Sequence, residues 1–123
     1  GKNLMANDLL WIDDLRIPSD FIDLKKYDSV LWATTFDEGI SYIEQDFQTI
    51  HLDNDLSDAD DRQGKHIFNR IEEYLNDGKL PNLKQIIIHS DNSSAVSSMM
   101  GAKDLLKDKY DVRVTQVIFK FNS

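Results

Sequence analysis

The stretch that decides the fold is Leu9-Leu10-Trp11-Ile12-Asp13-Asp14-Leu15-Arg16. Four apolar residues run directly into two carboxylates. A short apolar run bounded by charge reads as a buried strand that meets charge where it leaves the core. The first strand is placed at Asp8 to Ile12. The same pattern recurs at Thr49 to Leu52, which runs into Asp53-Asn54-Asp55, and at Gln85 to His89, where Ile86-Ile87-Ile88 runs into His89-Ser90. Three strand ends carrying acid, acid and imidazole would make one acidic pocket if they lie side by side.

Working outward, Arg16 to Ser29 holds Pro18 and weak periodicity. It reads as loop with at most one helical turn near Phe21 and Leu24. Val30 to Thr34 is a second buried strand. Thr35-Phe36-Asp37-Glu38 is a capping box that opens a helix, with Phe36, Ile40, Ile43 and Phe47 on one face. A polar, acidic loop covers Asn54 to Gln63, and Gly64 gives the turn before the next helix. That helix, Lys65 to Asn76, has the stripe Ile67, Phe68, Ile71, Tyr74 and Leu75, and is stopped by Asp77-Gly78 and Pro81. Asp91 to Ser94 are all cap formers. One helix is expected from there to Lys109, burying Val96, Met99, Met100, Leu105 and Leu106. Val112 to Phe121 is the last strand.

Strands alternating with helices imply right-handed crossovers and a parallel sheet. The expected fold is α/β: a three-layer flavodoxin-like sheet of five parallel strands in the order 2-1-3-4-5, its first helix weak or absent. That order makes strands one and three neighbours at the switch point, where ligands bind beyond the carboxyl ends of strands.

With 123 residues, 41% hydrophobic and 29% charged, the chain reads as one ordinary globular domain spanning 1–123. It has no cysteine, which excludes disulfides and thiolate metal sites and suits a reducing, cytoplasmic setting. It has no membrane-spanning run and no apolar signal-peptide core near its start. The net charge of −8 argues against an extended nucleic-acid footprint, which needs clustered Lys and Arg. Asp53, Asp55, Asp58, Asp60 and Asp61 crowd into nine residues. Such a cluster is either a solvated loop or the seat of a cation.

The candidate site follows from the strand ends. Asp13, Asp14, Asp53 and Asp55 would hold Mg²⁺ or another divalent cation, since converging carboxylates otherwise repel. His89, with Asp53 and Asp55, is the candidate catalytic group, because an imidazole exchanges protons near neutral pH. Arg16, Ser90 and Asn92 would bind phosphate. His51 reads as a sheet-face histidine, His66 as an exposed helix residue, and Trp11 and Trp32 as core aromatics.

These residues resemble the receiver domains of response regulators. By that resemblance Asp13 with Asp14 is the acid pair, Asp53 the phosphoacceptor and Ser90 the hydroxyl after strand four. The chain departs from the pattern at Lys120, which no proline follows. It is more similar to the cyclic-phosphate processing receiver domains, a family common in bacteriophages. The resemblance rests on Leu10 to Arg16, on Leu52-Asp53-Asn54-Asp55-Leu56, on Gly64 and on His89-Ser90-Asp91-Asn92. It implies metal-assisted phosphoester chemistry on cyclic phosphate ends of RNA, in the host cytoplasm if the chain is phage-encoded. Three functions stay open. They are a phosphoesterase acting on a small phosphate ligand or RNA end, a non-catalytic module engaging a basic host protein, and a signalling receiver phosphorylated on Asp53.

Overall fold

The computed structural model describes residues 7–56, 59 and 61–118. Asp58, Asp60 and Lys120, and the far end of the expected last strand, Phe119 to Phe121, lie outside them. The described chain runs β1 (Asn7–Ile12), β2 (Val30–Ala33), α1 (Phe36–Tyr42), β3 (Phe47–Leu52), α2 (Gly64–Asn76), β4 (Gln85–Ile88), α3 (Ser93–Met100), α4 (Lys103–Tyr110) and β5 (Arg113–Gln116). All neighbouring strands pair in parallel, in the order β2-β1-β3-β4-β5. This is the expected receiver-like sheet. No helix among the described residues is long and apolar enough to cross a membrane.

Side chains alternate across each strand. Leu10 and Ile12, Ile50 and Leu52, Ile86 and Ile88, and Val114 pack into one cluster with Ile67, Phe68, Ile71, Val96, Met99 and Leu106 of the helices. The helices therefore cover one face. The opposite face carries Leu9, Trp11, Thr49 and His51, which are also buried. A parallel sheet needs cover on both sides. Here the β1–β2 connection supplies it with two 3-10 turns, Pro18–Asp20 and Leu24–Lys26, in place of a first helix. Phe21 stacks on Trp11 with ring centroids 6.5 Å apart.

Several local expectations change. Phe47 belongs to β3, not to the α1 face, because a 3-10 turn at Ile43–Gln45 and Asp46 in the left-handed region (φ 63°) end the helix first. The Thr35 hydroxyl accepts the Glu38 N–H as a cap should, and Glu38 reaches back chiefly to the N–H and hydroxyl of Thr34. The single helix expected after Ser93 is two, broken at Gly101-Ala102. The break rotates Leu105 out to solvent, 58% exposed, while Leu106 stays buried. Replacing Leu106 with Ala should cost about 2–5 kcal/mol, against less than about 0.5 kcal/mol for Leu105→Ala. Chemical denaturation of the two variants checks this, and equal losses would restore the unbroken helix.

Trp32 is not a core residue. It lies on edge strand β2 and is partly exposed, with its indole N–H donating to the Asp13 carbonyl at 2.8 Å. His66 is half-buried rather than exposed, and its Nδ1 accepts the Gln63 N–H as part of the α2 cap.

Candidate metal centre

The ladder of the sheet continues one residue past the strand ends. The Asp13 N–H donates to Ala33 O, Asp53 N–H to Ile12 O, and His89 N–H to Leu52 O, all within 3.0 Å. The three residues following β1, β3 and β4 are thereby held abreast. Each is two positions beyond a residue on the face opposite the helices, Trp11, His51 and Ile87 respectively. Period-two alternation turns all three side chains to that same face. Asp13, Asp53 and His89 are at most 3% exposed. Each offers a donor atom, and these atoms lie within 4.8 Å of one another.

Asp13 is the most heavily engaged of the three. Its Oδ1 accepts the N–H groups of Leu15 and Arg16, each at 2.9 Å, which folds the chain back over the carboxylate. Its Oδ2 lies 3.2 Å from His89 Nδ1 and 3.3 Å from the Arg16 guanidinium. Burial alone would raise its pKa, but the hydrogen bonds from His89, Arg16 and Leu15 outweigh it and hold the carboxyl below its usual value. Asp53 has no such set. Burial first, and the Asp13 charge second, push it up to about 8, despite Arg16 at 3.8 Å. Two facing carboxylates divide in this way when their hydrogen-bond partners are unevenly shared.

Trp11 packs against two imidazoles, with ring centroids 4.7 Å from both His51 and His89, which lie 5.4 Å from each other. Burial, and then the proximity of His89, lower the His51 pKa to about 3, so it stays neutral. The Trp11 indole N–H donates to Arg16 O at 2.9 Å and ties the loop to the sheet.

Above the acids opens a cavity of about 250 Å³ lined by Asp14, Leu15, Arg16, Asp53, Asp55 and Asp91. Asp14 and Asp55 are exposed on its wall and fall outside the close group of three donors. Partial burial and the charge of Asp13 raise the Asp14 pKa. The other sequence candidates are placed differently. His89 does not line the cavity, and its Nδ1 faces the Asp13 carboxylate at 3.2 Å. Asn92 caps α3, its Oδ1 accepting the Ala95 N–H at 3.0 Å, and the Ser90 hydroxyl accepts the Asn92 N–H at 3.1 Å. Neither lines the cavity. A larger cavity, about 480 Å³, lies at the other end of β3 beside Asp46, but its Asp46 carboxylate is bound by Asn82 and its Glu44 by the Tyr74 hydroxyl.

A family model for cyclic-phosphate processing receiver domains matches residues 9–104. The chain belongs to that family. No curated protein and no solved structure matches it. The matched segment contains every residue of the buried group and of the cavity lining. The buried group could hold a metal ion: two carboxylates and one imidazole are a normal donor set for a divalent cation.

Sequence reading missed two residues of this receiver domain's site. Asp91 sits between two candidates, His89-Ser90 and Asn92, and only the geometry brings its carboxylate to 3.8 Å from Arg16. Asn54 is fully buried and clamps the acid loop to α2. Its Oδ1 accepts the Lys65 N–H and its amide donates to Gln63. Its position between two aspartates was the only available signal.

Proposed function

We propose that this domain is a metal-dependent phosphoesterase that opens a cyclic phosphate at an RNA end. The observation that carries the reading is the buried group Asp13, Asp53 and His89, with donors within 4.8 Å, directly beneath a cavity of about 250 Å³. The family's description supplies the cyclic phosphate; the RNA end is part of the proposal.

Asp13, Asp53 and His89 would hold the cation. An imidazole in the set suits Mn²⁺ or another transition ion as well as Mg²⁺. When bound, the ion supplies charge neutralisation at a phosphate oxygen and acidifies a coordinated water. His89, with Nδ1 toward Asp13, keeps that carboxylate oriented and ionised. Asp55, exposed on the cavity wall, takes the proton of the attacking water, with Asp14 beside it. The water oxygen bonds to phosphorus, the bond to one ribose oxygen breaks, and the proton ends on that oxygen. Arg16 lines the cavity and receives the phosphate. Only the chain end enters, so the acidic surface is tolerated.

The test is an RNA oligonucleotide ending in a 2′,3′-cyclic phosphate, incubated with Mg²⁺, Mn²⁺ or chelator. Metal-dependent conversion to a monophosphate is expected. No turnover by the folded protein with any of these metals, across neutral pH, would sink the reading.

A further inference from the structure

We propose that Arg16 is an exchangeable counter-ion, so that a divalent cation and a phosphoryl anion bind this site cooperatively. The inference rests on the metal reading above and adds a regulation to it.

The Arg16 side chain is 6% exposed. One guanidinium nitrogen, Nη1, lies 3.3 Å from Asp13 Oδ2 and 3.8 Å from Asp53 Oδ1, which are carboxylates of the buried donor group. Arg16 thus stands where the charge of a divalent cation would be felt most. Two cations sharing one pair of carboxylates repel strongly in a buried setting. Arg16 therefore gives up Asp13 and Asp53 when those oxygens take a metal.

The geometry also supplies a destination. Nη2 already points to the cavity rim, 3.8 Å from Asp91 Oδ2, whose side chain is 86% exposed. The backbone of Arg16 need not move, since its N–H is held by Asp13 Oδ1 and its carbonyl by the Trp11 indole, each at 2.9 Å. Only the side chain swings. Once clear of the carboxylates, its planar fork faces the cavity and matches two oxygens of a phosphoryl group. An anion that captures the fork removes the metal's competitor, and by linkage the metal raises the affinity for the anion by the same factor.

A guanidinium that merely braces the carboxylates would behave in the opposite way. Its loss would disorder the donors and weaken the metal.

Mn²⁺ binding, read from the free-ion EPR signal with and without inorganic phosphate, separates the two. For the wild-type chain, phosphate should tighten Mn²⁺ about fivefold or more, within the usual range of such couplings. Arg16→Gln should bind Mn²⁺ more tightly than wild type without phosphate and show no further gain when it is added. Weaker Mn²⁺ binding by Arg16→Gln, or no effect of phosphate on the wild type, overturns the proposal while leaving the metal reading in place. If the folded wild type binds no Mn²⁺ at all, the metal reading itself falls, and this one with it. Should Arg16→Gln not fold, Arg16→Lys keeps a cation but lacks the fork. Its phosphate coupling must then drop well below the wild-type value, and full coupling in that variant overturns the proposal.

Discussion

Asp53→Asn is expected to stabilise the metal-free protein at pH 8 while removing its response to divalent cations. Asp53 is 3% exposed, and burial with the Asp13 charge raises its carboxyl to about 8 from an ordinary 3.8. Between those values the folded state holds a proton that the unfolded state has released. Stability is therefore full below about pH 4 and falls as pH rises through about 8. The opposing contribution comes from Asp13, whose lowered pKa stabilises the fold above its unfolded value and is lost in acid. The Asp53 contribution is on the order of 3–5 kcal/mol by pH 8. An isosteric amide has no charge to bury, and the Arg16 contact it weakens is a distant 3.8 Å. The Tm of Asp53→Asn in chelator should exceed the wild type's by roughly 10 °C at pH 8 and match it near pH 4. Adding Mn²⁺ at pH 8 should raise the wild-type Tm, because ligand binding to the folded state stabilises it. It should leave the variant unchanged, since one of two carboxylate donors is gone. A variant less stable than wild type at pH 8 would mean that Asp53 is held ionised by its neighbours.

That site was legible in the sequence to the extent that backbone periodicity determines it. Asp13, Asp53 and His89 each end an apolar run, and a parallel sheet sets successive run ends abreast. The same logic predicted the order 2-1-3-4-5. What could not be read was anything set by side-chain competition. Ser90 and Asn92 were read as phosphate ligands, and the structure shows an oxygen of each also accepting a backbone N–H at the start of α3. His89 has the right imidazole for proton transfer, yet its Nδ1 faces Asp13 and it does not line the cavity. Arg16 was read as a candidate phosphate ligand, but its pairing with Asp13 and Asp53, set by the turn that folds residues 13–16 back, was not foreseen. Leu105 and Phe47 were misplaced because helices stopped early at Asp46, which is no strong breaker, and at Gly101, whose helix-weakening effect was given too little weight. Trp32 was taken for core from its apolar run alone, although the expected order 2-1-3-4-5 already made its strand an edge.

Gly64→Ala is expected to be the most damaging single methyl in the chain. Sequence reading gave Gly64 a turn, but the residue is the first of α2 and has no special φ. Its role is proximity. A Cβ there would stand 2.1 Å from Asp53 O, 2.7 Å from Asn54 Cα and 2.8 Å from Asp53 C. All three are backbone atoms, so no rotamer change relieves the overlap. The contact is this close because the helix start and the acid loop are bonded together: Gly64 N–H to Asn54 O at 2.8 Å, and Lys65 N–H to Asn54 Oδ1 at 2.9 Å. Making room for a methyl means moving the two segments apart by about 1 Å, which breaks those bonds and lifts Ile67, Phe68 and Ile71 off the sheet. A loss above about 4 kcal/mol is expected, in the range reserved for core disruption. Any folded fraction should also bind Mn²⁺ poorly, because Asp53 is the residue that the methyl displaces. Lys65→Ala, one position on and away from the loop backbone, is the control and should change neither property much. Denaturation and Mn²⁺ titration of both variants test this. A Gly64→Ala protein within about 1 kcal/mol of wild type would mean that the acid loop yields easily, and that its carboxylates are not held in place by α2.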